Sequence, residues 1–369
     1  MSENSREVQG ILEMHEKGYG FLRGGAPNFT MKPNDPHISH NLIRKYYLRE
    51  GLEIKATIPS KKATVNKVDE ILEVGGFPAD HYMGVTPFDE FTVIDPNRQI
   101  KLETGEKPLG PRMIDLMAPI GFGQRGLIVA PPRTGKTILL QEIAHGVATN
   151  HPEAHLIVLL IDERPEEVTD MRRSIDGEVI ASCNDWPVER HVRTAKMALA
   201  RAKRLVELGK DVVILLDSLT RLGRAFNNWT KSSGRTMSGG LDIKAMQLPK
   251  QLFGAARNVE DGGSLTIIAT ALIETGSRMD EVIFQEFKGT GNMELVLDRQ
   301  LANRRTYPAI NIPESGTRKE ELLIGKTNID KLHNLRRHLD NMPVGQDIEM
   351  MLKALRQHKT NASFMKQLP

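Results

Sequence analysis

Ala130-Pro-Pro-Arg-Thr-Gly-Lys-Thr137 closes the apolar run Gly-Leu-Ile-Val-Ala (126–130) and opens a segment with apolar residues at Ile138, Leu139, Ile143 and Val147. The run reads as a buried strand and the following residues as one side of a helix, so the stretch between them is a strand-to-helix turn. Phosphate binding needs bare backbone N–H groups, a helix N-terminus and one mobile cation at such a turn. Gly135 lets the backbone approach, Lys136 reaches the β- and γ-phosphates of ATP, and the Thr137 hydroxyl completes a Mg²⁺ shell. Pro132, Arg133, Thr134 and Ile138 complete the expected nucleotide-binding segment. The first position is Ala130 where glycine is usual, so context carries the assignment. Elsewhere a Gly-Lys-Thr triplet would be a surface turn.

Outward from this turn the pattern repeats. His155 to Ile161 reads as a buried strand ending at Asp162-Glu163, and Val212 to Leu216 as another ending at Asp217. Between them Val192 to Leu208 reads as a long basic amphipathic helix, and Leu265 to Leu272 as a further strand. From Glu320 the chain reads as helical. Apolar strands alternating with amphipathic helices imply a parallel sheet with crossover helices, an α/β fold. Asp217 stands where an acid holds Mg²⁺ through water, and Glu163 where a carboxylate polarises water in line with the γ-phosphate. Either acid alone reads equally well as a helix cap or a loop charge. A positive charge for the transition state is still needed, and Arg299, Arg304, Arg305 and Arg318 are all open candidates.

The front of the chain is different. From Val8 to Val74 short strand-like runs alternate with Gly, Pro and Asn, as in a small all-β barrel. The expected division is a barrel over residues 1–75, a Gly- and Pro-rich connector over 76–111, and an α/β domain with a helical C-terminal part over 112–369. In Lys17-Gly-Tyr-Gly-Phe-Leu-Arg23, alternation puts Tyr19, Phe21 and Arg23 on one face, suited to stacking RNA bases. Aromatics on a strand are otherwise core residues. Arg44 and Lys45 begin a basic stretch running to Lys67, which reads either as a solvated face or as part of a nucleic-acid surface.

Composition excludes more than it selects. Hydrophobic residues make up 39% of the 369 and charged residues 26%, ordinary for a globular protein, and a net charge of +3 does not by itself argue for nucleic acid. Cys183 is the only cysteine, so no intrachain disulfide or thiolate metal cage forms. The apolar runs are too short to span a bilayer, which sets aside a membrane role and points to the cytoplasm.

Together these runs resemble the bacterial transcription termination factor Rho family. The similarity is carried by Gly123-Gln-Arg-Gly-Leu-Ile-Val-Ala-Pro-Pro, Leu159-Leu-Ile-Asp-Glu-Arg-Pro-Glu-Glu-Val-Thr, Asp217-Ser-Leu-Thr-Arg, Phe253-Gly-Ala-Ala-Arg-Asn-Val-Glu, Lys288-Gly-Thr-Gly-Asn-Met-Glu-Leu and Ser315-Gly-Thr-Arg-Lys-Glu-Glu-Leu. It is dense from Arg112 to Leu323 and traceable from Val8. The resemblance implies a RecA-like motor behind a cold-shock-like barrel. It also implies a homohexameric ring that hydrolyses ATP while moving 5′-to-3′ along single-stranded RNA toward an RNA polymerase elongation complex. By matching position it implies Lys136 and Glu163 as catalytic groups, Arg318 as arginine finger, Arg305 as a second contact from the neighbouring subunit, and Tyr307 as a platform for adenine. The loops Thr230 to Gly240 and Thr275 to Asp280 look like the family's pore loops, with Arg235 and Arg278 where relatives have lysine. In Asp35-Pro-His37-Ile, His37 takes the place of a family aromatic, and the strand near Pro59 to Val65 looks shortened. The chain starts almost directly at the barrel, so the helical segment ahead of it in many relatives is expected to be missing.

Two other classes fit parts of the pattern. A passive RNA-binding ring would not need Lys136, Thr137, Glu163, Asp217 and Arg318 together. A rotary-type ATPase subunit would share the motor but have no use for Tyr19 and Phe21.

Overall fold

The computed structural model describes residues 5–24, 27–60, 66–230, 236–343 and 345–368. They form two main sheets with different physics. The first is antiparallel, with β1 (Ser5–Met14), β2 (Gly20–Arg23), β3 (His37–Ile38), β4 (Glu53–Pro59), β5 (Glu70–Val74) and β6 (Phe77–Pro78) in the order β3-β2-β1-β4-β5-β6. Strand β4 shows why it forms: Ile54, Ala56 and Ile58 are fully buried, while Glu53, Lys55 and Thr57 face outward. That period of two lets one face fill a core with Leu12, Leu22, Ile38, Leu52 and Val74, leaving the other in water. In this register Phe21 pairs with His37.

After the short strands β7 (Val93–Ile94), β8 (Gln99–Ile100) and β9 (Ile120–Gly121), the second sheet is built from β10 (Arg125–Ala130), β11 (His155–Glu163), β12 (Glu178–Cys183), β13 (Asp211–Asp217), β14 (Arg257–Val259), β15 (Ser264–Leu272), β16 (Met293–Leu297) and β17 (Ile310–Thr317). Its order is β12-β11-β13-β15-β10-β16-β17, with β14 paired to β15 and β7 paired to β14. The strands from β12 to β16 run parallel and β17 closes the edge antiparallel. Helices cover both faces, so central strands such as Val212–Leu216 are apolar throughout.

The expected strands and helices of the motor appear with small shifts: the basic helix runs from Val188 to Glu207, and the strand placed at Leu265 begins at Ser264. Ile138 departs from expectation. Leu139, Ile143 and Val147 are buried, but Ile138 is 62% exposed, because it opens onto a cleft rather than the sheet. Strands β12, β16 and β17 were not legible, since Glu178, Glu294 and the polar Pro-Glu-Ser-Gly of β17 break the apolar runs. Among the described residues no helix is long and apolar enough to cross a membrane.

The two sheets are joined by apolar contacts of Ile11, Phe29 and Leu208 and by ion pairs. Arg193 of the basic helix donates to both oxygens of Glu13 on β1 (2.5 and 2.7 Å) and to the Phe29 carbonyl (2.6 Å). Glu207, at the end of that helix, accepts from Arg49, Tyr82 and the Phe88 amide.

Candidate nucleotide and nucleic-acid sites

The carboxyl ends of β10, β11 and β13 place the motor's chemistry. After β10 the chain turns through Arg133 (φ +67°) and Gly135 (φ +87°), the left-handed region in which glycine is unstrained. Thr134 donates its hydroxyl to the Pro131 carbonyl at 2.8 Å and pins the turn. The helix Lys136–Asn150 starts there, and its first amides and positive dipole end suit an anion. Lys136 Nζ contacts both carboxylate oxygens of Asp217, which is 2% exposed and also accepts from the Thr270 hydroxyl at 2.8 Å.

Glu163 sits one strand away and is 3% exposed. Register pairs Leu160 with Asp217, and the bulge between Ile161 and Glu163 re-aims the end of β11. Arg221 Nε lies 2.9 Å from one Glu163 oxygen, and the other oxygen is buried with no hydrogen-bond partner in the structure. Burial first and the Asp217 charge second push the Glu163 carboxyl up to about 8, against the opposing charges of Arg221 and Lys136. A carboxyl with a raised proton affinity and an unsatisfied oxygen is suited to holding a water. Thr137 and Asp217 offer a hydroxyl and a carboxylate, the hard oxygen donors that Mg²⁺ takes alongside phosphate oxygens.

Tyr307 stands across the turn. A Cβ on Gly135 would lie 3.4 Å from its ring, and the ring, 43% exposed, borders a cleft of about 570 Å³ with Ile138, Pro108 and Leu297. Arg318 and Arg305 are elsewhere. The Arg318 amide donates to the Asn292 carbonyl, and the Asn292 amide donates to the Arg125 carbonyl at the start of β10. The phosphate turn follows the other end of that strand, roughly 15–20 Å away at about 3.3 Å per residue. Arg305 is exposed after the helix Arg299–Asn303.

On the barrel, Tyr19, Phe21 and His37 form one aromatic cluster with ring centroids 5.1 to 5.7 Å apart, and His15 stacks on Tyr19 at 4.4 Å. Arg23 lies on the same face, but it bonds Glu13 (2.5 Å) and Asp35 (2.7 Å) and sits 4.8 Å from the Phe21 centroid. It braces the cluster rather than standing free. Arg44 and Lys45 are exposed at the end of a short helix, with Lys45 over the Tyr46 ring.

Arg235 lies outside the described residues, as does most of the stretch from Pro59 to Val65. Arg278 is exposed at the start of the helix Arg278–Phe287. The two expected pore loops meet, since a Cβ on Gly239 would lie 2.8 Å from the Met279 nitrogen. The second is tied down by Asp280, which accepts from Arg224 and Thr275, each at 2.7 Å. Arg221, Thr270 and Arg224 were not assigned roles from sequence. Arg221 stands four residues after Asp217 on the next helix, a spacing that carried the signal.

The family model described as Rho termination factor, RNA-binding domain, matches residues 8–76. The nucleotide-binding domain of the ATP synthase alpha/beta family matches residues 110–317. A transcription termination factor Rho from Cereibacter sphaeroides is 53% identical, over 98% of this chain and 88% of its own. The chain belongs to the Rho termination factor family. The Aquifex aeolicus Rho is 51% identical over 97% of this chain and 84% of its own, and the Bacillus subtilis Rho 49% identical over 97% and 83%. An ATPase from a type III secretion system shares the fold alone, with a TM-score of 0.62 at 22% identity over 76% of this chain and 87% of its own. The fold is thus shared with a secretion ATPase.

Proposed function

We propose that this chain is a ring-forming, RNA-driven ATPase that moves 5′-to-3′ along nascent transcripts and ends transcription at RNA polymerase in the cytoplasm. Family membership makes it an ATP-hydrolysing enzyme of transcription termination with an RNA-binding front domain. The observation that carries the mechanistic reading is the meeting of Lys136, which follows β10, with Asp217 at the end of β13, one strand from Glu163 at the end of β11.

In this reading Lys136 leaves Asp217 for the incoming phosphates, and Thr137 and Asp217 would hold Mg²⁺, which would supply charge neutralisation at the phosphates. Glu163 orients the attacking water through its unpaired oxygen and takes its proton, with Arg221 beside it to hold the carboxylate in place. Tyr307 stacks on the base, with Pro132, Arg133 and Thr134 forming the phosphate turn and Ile138 the opposite wall. Arg318 and Arg305 act on the site of the next subunit, because Arg318 lies at the wrong end of β10 to serve its own. Tyr19, Phe21 and His37 stack RNA bases, Arg44 and Lys45 attract the backbone, and Arg235 and Arg278 grip it in the pore.

The test is strand displacement. An RNA annealed to DNA and carrying a cytidine-rich 5′ overhang is expected to be released on ATP addition, and the same duplex with a 3′ overhang is not. Release from the 3′ side alone, or no release from either, contradicts the assigned polarity or the motor itself.

A further inference from the structure

The base cleft holds one group that phosphate chemistry does not use. Glu142 stands four residues after Ile138 on the helix Lys136–Asn150, so both side chains lie on the face that borders the cleft. Across from it the first turn of the helix Leu109–Met117 closes the wall, and a Cβ on Gly110 would come within 2.2 Å of Glu142 Oε2. Among the described residues nothing hydrogen-bonds or ion-pairs with this carboxyl, although Lys107 and Arg356 line the same cleft. Burial alone pushes it up to about 7, with no neighbouring charge contributing. A half-buried acceptor with no partner is unfavourable unless a ligand supplies the missing donor.

We propose that Glu142 reads the edge of the base, accepting a hydrogen bond from the exocyclic amine of adenine while Tyr307 and Ile138 hold its faces. The inference rests on the reading of this cleft as the base site. It makes Glu142 a specificity-determining residue, distinct from the groups that act on phosphate. A site built to bond an amine discriminates against the same ring without one, because the carboxyl is then buried unpaired.

The experiment compares kcat/KM for ATP and for purine riboside 5′-triphosphate, which lacks the 6-amine, under RNA stimulation at one salt concentration. In the unaltered chain ATP is expected to be favoured about tenfold. Glu142→Leu brings that ratio close to one, and Glu142→Gln, whose carbonyl still accepts, keeps most of it. Taking the ratio within each variant removes the effect of partial misfolding. A ratio near one in the unaltered chain, or one unchanged in Glu142→Leu, overturns the proposal. Tyr307→Ala separates the two levels. If it raises KM for both nucleotides while the Glu142→Leu ratio stays high, only the role of Glu142 fails. If it changes neither KM, the base lies elsewhere and the cleft reading fails with it.

Discussion

The phosphate turn of the motor and the aromatic face of the barrel, each proposed to meet a polyanion, are built in opposite ways. Lys136, Asp217 and Glu163 are largely withdrawn from water and held by one another, by Thr270 and by Arg221. Tyr19, Phe21 and His37 are partly exposed rings that hold each other only by contact. Buried charge is costly unless geometry is fixed, so the first site tolerates little change and performs one reaction. Stacking surfaces are tolerant of sequence, so under the proposed function the second would accept many RNAs and shift gradually when altered.

Substitutions are therefore expected to fall on a graded scale. Arg318→Ala is expected to lower RNA-stimulated turnover roughly 10³–10⁵-fold, the range of an arginine finger. Mixing it with the inactive Glu163→Gln chain before ring assembly should restore part of the activity, since some interfaces then pair an intact Glu163 with an intact Arg318. No recovery would place the two residues in the same site and blunt the contrast drawn above. Glu163→Gln by itself should reduce kcat roughly 10²–10⁴-fold with RNA affinity unchanged, measured by single-turnover hydrolysis and filter binding. Tyr19→Ala should weaken RNA binding by roughly 5- to 150-fold, the equivalent of about 1–3 kcal/mol per stacked base, while leaving unstimulated hydrolysis intact. Equal loss of both in Tyr19→Ala would mean the two regions are one cooperative unit.

The smallest effect is expected at the joint between them. Burial pushes the Glu13 carboxyl up, but Arg193 and Arg23 outweigh it and hold it below its ordinary value of 4.5. A carboxylate whose folded value is depressed stabilises the fold above its unfolded value and loses that contribution as pH falls through the folded one. Thermal unfolding should therefore show the barrel-to-motor contact weakening only below about pH 4.5, and Arg193→Leu should flatten that part of the profile.

The same contrast explains what was legible in the sequence. The phosphate site announced itself because each group stands alone at the end of an apolar strand, where period and position agree. Asp217 after Val212–Leu216 is the clearest instance. Ile138 was misplaced because helical spacing alone cannot tell a side facing the sheet from one facing a cleft. The burial of Arg23 was hidden because its partners, Glu13 and Asp35, lie 10 and 12 residues away on other elements. The separation of Arg318 from the phosphate turn required the register of β16 against β17, two strands whose polar residues concealed them.

Hydrolysis in the motor is expected to depend on RNA. ATP turnover measured at one fixed salt concentration with no nucleic acid, with a cytidine-rich RNA and with the matching DNA tests it most directly, since phosphate contacts vary steeply with salt. Strong stimulation by the RNA alone is the expected result. Equal turnover in all three would contradict the coupling and leave a motor domain and an RNA-binding domain that share a chain but not a task.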